Sequence, residues 1–187
     1  MVLAQVLLQR LLISFTIILL LNQTSYSQNG MDHTTLPTPK SCNMLFFLQR
    51  DPDANTVVYE LNFNSDGTLK KNAPIKGSWI RYEEKQKFKE LTAIEQKFAY
   101  GILSKLIADD EYEIRLVAYK KMPMYLKKSE TDQKYHIYIK DEGKDLLLKR
   151  VFVRVNGGSF WFPKVQYIDL IATNSITGME ILKRIKT

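Results

Sequence analysis

From Met44 onward the chain is a succession of short runs in which apolar and polar residues alternate, each closed by a turn-forming cluster. A period of two sends successive side chains to opposite faces, so such runs fold as half-buried strands. In Thr56 to Phe63, Val57, Tyr59, Leu61 and Phe63 share one face, and Thr56, Val58, Glu60 and Asn62 the other. Tyr112, Ile114, Leu116 and Ala118 repeat the pattern, as do Tyr135, Ile137 and Ile139, and Val151, Val153 and Val155. Val165 to Ala172 and Met179 to Ile185 complete the series, while Leu45 to Leu48 is apolar on both faces and Ser78 to Glu83 forms a further strand. Asn64-Ser65-Asp66-Gly67 and Asn156-Gly157-Gly158-Ser159 supply the positive φ of tight turns, the second leading into a return strand from Phe160. Short alternating strands joined this way pair antiparallel. The expectation is a mainly β (α+β) fold: an antiparallel curved sheet, barrel or sandwich of about eight or nine strands.

One segment carries a different signal. Thr92-Ala93-Ile94-Glu95 has the spacing of a capping box, in which hydroxyl and carboxylate satisfy orphan amides reciprocally. Ile94, Phe98, Ile102 and Leu106 follow at four-residue steps, with Ala99 and Leu103 widening the stripe. This predicts a single amphipathic helix over about 92–108, packed on one side of the sheet or closing one end. Asp109-Asp110-Glu111 opposes a helix C-terminal dipole and is read as linker.

The N-terminal part speaks of location. Arg10 precedes an uncharged apolar run, Leu11 to Leu21, and small residues at Ser25 and Ser27 follow. This is the layout of a secretory signal, so residues 1–27 are expected to be removed near Ser27. A spanning helix needs about 20 apolar residues, and counting back meets Arg10, Gln9 and Gln5 first. No stable transmembrane segment is expected after processing. No cysteine directly follows the apolar run, which argues against a lipid anchor. Residues 28–43, polar and proline-bearing, read as a flexible leader, and 44–187 as a single β-rich domain of ordinary size. The protein is thus expected to be periplasmic or secreted.

The formal charge is +7, and removing Arg10 with the signal lowers it by one. Paired cations such as Lys70-Lys71, Lys127-Lys128 and Lys149-Arg150 read as solvated surface. The alternative is an acidic partner outside the cytoplasm, a lipid head group or glycan; nucleic acid has no motif or long basic run in its favour. One cysteine, Cys42, makes no intramolecular disulfide, so an exported chain of this kind is stabilised by its core.

Catalytic signatures are lacking: there is no G-x-S-x-G, no phosphate-binding glycine loop, no C-x-x-C and no H-E-x-x-H. No cofactor or metal is expected, since His33 falls in the leader and His136 is isolated. Asp53, Asp66, Glu83 and Asp169 are formal candidates for a carboxylate pair. Asp169 interrupts an apolar run and is better read as tied to an arginine. A face is more suggestive. Arg150, Phe152 and Arg154 project from one side of a strand, and Lys134, His136, Tyr138 and Lys140 from one side of another. If these strands are neighbours, they form a basic surface interleaved with aromatics, suited to carboxylates, phosphates, sugars or acyl edges. The same face could simply be solvated, its cross-strand pairs stabilising the sheet. Trp79 and Arg81, on one face of their strand, and Trp161 are read in the same two ways.

Leu45 to Arg50 (LFFLQR), Asn55 to Asn62 (NTVVYELN), Trp79 to Tyr82 (WIRY), Lys97 to Gly101 (KFAYG) and Val165 to Leu170 (VQYIDL) together carry a resemblance. In this order and spacing they resemble an uncharacterised family of exported bacterial proteins, a domain of unknown function. The resemblance implies one domain in the bacterial envelope and no assigned activity. Its polar positions are Arg50, Asn55, Arg81, Tyr82 and Tyr100. The functional expectation is a non-enzymatic, exported ligand-binding or envelope-associated module for an anionic or amphipathic ligand. Its candidate ligand-binding residues are Arg50, Trp79, Arg81, Tyr82, Tyr100, His136, Tyr138, Arg150, Phe152 and Arg154. A hydrolase of envelope material using paired carboxylates and a protein–protein scaffold are the alternatives. Oligomeric state is left open.

Overall fold

A computed structural model describes residues 33–41, 43–159 and 162–187. The signal segment with its cleavage site at Ser27, Cys42, Phe160 and Trp161 lie outside the described residues, as do the side chains of His33 and Glu83. Eleven strands are present among the described residues: β1 (Met44–Arg50), β2 (Asp53–Leu61), β3 (Ile75–Arg81), β4 (Lys87–Glu90), β5 (Ile102–Ala108), β6 (Glu111–Leu116), β7 (Tyr119–Lys128), β8 (Tyr135–Asp141), β9 (Lys144–Gly158), β10 (Pro163–Asn174) and β11 (Glu180–Lys186). They form one curled, half-barrel sheet in the order β4-β3-β2-β1-β9-β8-β7-β6-β5, with β10 also on β9 and β11 outside it.

The long strand β9 is the junction. Leu147 pairs with Tyr138 of β8 and Thr173 of β10, whereas Val151 pairs with Leu48 of β1 and Leu170 of β10. Pairing is antiparallel throughout except between β1 and β9, which run parallel. Turn signals report on consecutive strands and carry no information about a pair so far apart in sequence.

The alternation places the core as expected. Phe46, Val57, Tyr59, Tyr112, Ile114, Met124, Leu126, Ile137 and Leu148 are buried on the concave side. Phe46 and Tyr59 stack at 4.4 Å. The Tyr59 hydroxyl donates to the Tyr100 carbonyl at 3.0 Å, and burial pushes its pKa far up. The opposite face is covered too. Phe47, Val58 and Ile80 form one cluster there, and Leu36, Phe152 and Ile171 a second. Leu36 is only 5% exposed, and Gln49 Nε2 donates to the Pro37 carbonyl at 2.7 Å. This end of the expected leader therefore lies against the sheet.

The helix expected over 92–108 is much shorter. Thr92 and Glu95 do form the capping box, but the helix α1 spans only Ala93–Glu95 and widens into a π-type turn over Gln96–Tyr100. Gly101 is extended (φ −67, ψ 159), and Ile102–Ala108 is β5. The four-residue apolar step is also a multiple of two, so it fits a strand equally well. Ile102, Ser104 and Leu106 pair with Leu116, Ile114 and Tyr112 of β6. Tyr59 takes the Tyr100 carbonyl that a continuing helix would need for itself. Ile94 and Phe98, expected on a buried stripe, are 58% and 61% exposed.

Candidate functional site

Where β1 ends at Arg50, the concave side opens into an apolar cavity of about 330 Å³. Leu48, Leu116, Met122, Val151, Val153 and Ile168 line it from the sheet, and Phe98 and Ala99 from the turn after α1. Arg50, Tyr100, Tyr119 and Thr187 supply its polar lining. Arg50 and Tyr100, with Leu48, also border a niche of about 30 Å³, completed by Asp53, Asn55, Trp79 and Arg81. An apolar chamber thus adjoins a small charged one, with Arg50 and Tyr100 common to both.

Local structure fixes the niche. Arg50 and Asp53 are register partners where β1 turns into β2. Asp53 Oδ1 accepts the Asn55 backbone N–H at 2.7 Å and Oδ2 accepts Asn55 Nδ2 at 3.1 Å. Asn55 Oδ1 in turn accepts the Tyr82 backbone N–H at 3.0 Å, which ties the start of β2 to the end of β3. The Arg81 guanidinium lies 4.6 Å from the Trp79 ring centroid, and Trp79 meets Tyr100 edge-to-face at 4.8 Å. Trp79 Nε1 donates to Glu95 Oε1 at 3.1 Å; the Thr92 N–H and hydroxyl donate to Glu95 Oε2 at 2.8 and 2.9 Å.

Arg81 has donor capacity to spare. Its Nη2 is 4.0 Å from Glu95 Oε1, beyond hydrogen-bond reach. Its Nε–H is buried with no acceptor among the described residues. Such an orphan donor is costly unless something fills its coordination. Burial works against the Glu95 charge, but hydrogen bonds from Thr92 and Trp79, with the Arg81 charge, outweigh it and hold the carboxyl below the usual range. Burial pushes the Tyr100 phenol up; Glu95 and Asp53 act in the same direction, and Arg50 and Arg81 oppose them. Tyr100 is therefore a neutral hydroxyl facing a field of two cations and two anions.

Of the residues expected from sequence, Arg50, Trp79, Arg81 and Tyr100 come together here. Tyr82 joins through its backbone, while its ring packs with Phe47, Val58 and Ile80 on the convex face. Its hydroxyl pKa is raised by burial, against the Arg150 charge. The others lie elsewhere. His136 pairs with Asp132 at 2.9 Å, and Tyr138 is buried with Lys127 Nζ 5.1 Å from its ring centroid. Arg150 lies 4.9 Å from the Phe47 ring and reaches the Leu36 carbonyl, Phe152 is 1% exposed, and Arg154 pairs with Asp51 at 3.2 Å. Strands β8 and β9 are neighbours, but their pairing runs from Asp141 with Lys144 to Tyr138 with Leu147. Beyond it β9 is flanked by β1 and β10, so the two basic stretches are not brought together.

Asp169 is fully buried and bidentate with Arg184, at 2.7 and 2.8 Å. Among the described residues no group of three His, Cys, Asp or Glu side chains is placed to hold a metal. Sequence reasoning missed Glu95 as a site residue because the capping box already accounted for its carboxylate. Asp53 carried no signal of its own; its role follows from the β1–β2 turn.

A family model described as a domain of unknown function, DUF4833, matches residues 46–184, and the chain belongs to that family. No curated protein and no solved structure matches it.

Proposed function

We propose that this member of the DUF4833 family is an exported, non-enzymatic binding module for a small amphipathic ligand with an anionic end. The ligand's apolar body fills the 330 Å³ cavity and its anionic end meets Arg50, Arg81 and Tyr100. The observation that carries this reading is the shared wall: an apolar chamber of small-molecule size adjoins a niche lined by Arg50 and Arg81, with Arg50 and Tyr100 common to both. The apolar run Leu11 to Leu21 after Arg10 supports export.

Asp53 in the niche and Glu95 beside it favour binding over hydrolysis. A glycoside-type mechanism needs one carboxyl with a raised pKa to protonate the leaving group. Glu95 is held the other way, and both its oxygens and both of Asp53's are occupied as acceptors.

Native mass spectrometry of the protein purified from its host tests the reading. The expected result is an extra mass, lost on denaturation and missing when Val153→Trp fills the cavity. A clean apo mass, together with no uptake of added anionic amphiphiles, would overturn it.

A further inference from the structure

Resting on that binding reading, we infer that the niche selects a monoanionic carboxylate over a phosphate or a neutral hydroxyl, so the ligand is a single-chain carboxylic acid. Three features of the niche point this way. Arg50 and Arg81 line it against a single acid, Asp53, so one added negative charge balances the lining while a second meets Asp53 and the nearby Glu95. Its free volume is about 30 Å³, small beside the 330 Å³ of the adjoining cavity, so it admits only a small head group. The unsatisfied donor is a guanidinium edge. The Arg81 guanidinium lies 4.6 Å from the Trp79 ring centroid and its buried Nε–H has no acceptor among the described residues, which leaves a donor for a planar acceptor such as a carboxylate.

Specificity would then come from the niche and most of the contact area from the cavity. A neutral alcohol could fill the cavity but would leave the Arg81 donor poorly matched. A phosphate would satisfy that donor but would face Asp53 and Glu95 with its second charge.

Titration of the purified protein with decanoate, decyl phosphate and decanol, below their aggregation concentrations, separates these possibilities. Decanoate is expected to bind at least about tenfold more tightly than either of the others. Arg81→Gln should bring decanoate down to the decanol level. Arg81→Lys, which keeps the charge but loses the fork, should fall between, and it serves if the glutamine variant does not fold. Decyl phosphate binding as tightly as decanoate would overturn the carboxylate selection, as would Arg81 variants that leave the preference unchanged. Equal binding of all three ligands would overturn it while leaving the cavity reading in place. Binding of none would overturn both.

Discussion

The indole N–H of Trp79 on β3 donates to Glu95 Oε1 at 3.1 Å, while the other Glu95 oxygen closes the capping box of α1. One carboxylate thus fixes a three-residue helix and anchors it to the sheet at the niche. Its pKa is depressed on folding. The stability it contributes is therefore complete above the ordinary glutamate range and lost as pH falls through the folded value. Glu95→Gln should remove that pH-dependent part and cost about 1 kcal/mol at neutral pH. Urea unfolding of both proteins between about pH 3 and pH 7 checks this. Parallel pH profiles would show that the Glu95 charge is not what holds α1.

The bidentate pair of Asp169 and Arg184 makes an asymmetric prediction. The Asp169 side chain is 0% exposed and that of Arg184 46%. Arg184→Met should cost about 3 kcal/mol or more, because a buried carboxylate loses its counter-charge. Asp169→Asn should cost less, since Arg184 can turn to water. Urea midpoints of the two variants decide it, and the reverse ranking would refute the argument.

Legibility divided along the range of each signal. Strand faces were readable, because burial on one side dictates residue type at every second position: Val57 and Tyr59, or Tyr112 and Ile114, lie as the alternation requires. Strand β7 is less legible although Met122, Met124 and Leu126 alternate into the core, because Pro123 interrupts them. That proline is tolerated where β7 bulges against β6 and before its pairing with β8 begins at Tyr125. The segment after Tyr100 carries a helical pattern as well as a strand one, because a four-residue step satisfies both periods. The niche was half legible. Arg50, Trp79, Arg81 and Tyr100 could be named as candidates, but their meeting depends on β1, β3 and the turn after α1, which only tertiary folding assembles.

Gly101 marks where helix gives way to strand, and its constraint is space. A Cβ there would lie 1.8 Å from the Gln96 carbonyl oxygen. Gly101→Ala should destabilise by more than about 2 kcal/mol. At Gly143 the conformation is left-handed (φ +79) but a Cβ would meet nothing within 4 Å beyond its chain neighbours, so alanine should cost only about 1 kcal/mol. Denaturant unfolding of the two variants measures the difference, and equal costs would mean that the turn yields readily.

Phe152 and Val153 are consecutive in β9 and serve opposite faces. Val153 lines the apolar cavity, while Phe152 packs beneath Leu36 on the convex side. Val153→Trp should abolish decanoate binding at a stability cost of about 1–3 kcal/mol, the usual penalty of overpacking. Phe152→Leu should cost about 1 kcal/mol of stability and leave the affinity of the folded protein unchanged. Calorimetric titration, with unfolding curves for both variants, separates the two effects. If Phe152→Leu weakened binding as much as Val153→Trp, the ligand would belong on the convex face with Arg150 and Arg154, and the niche around Arg81 would be structural.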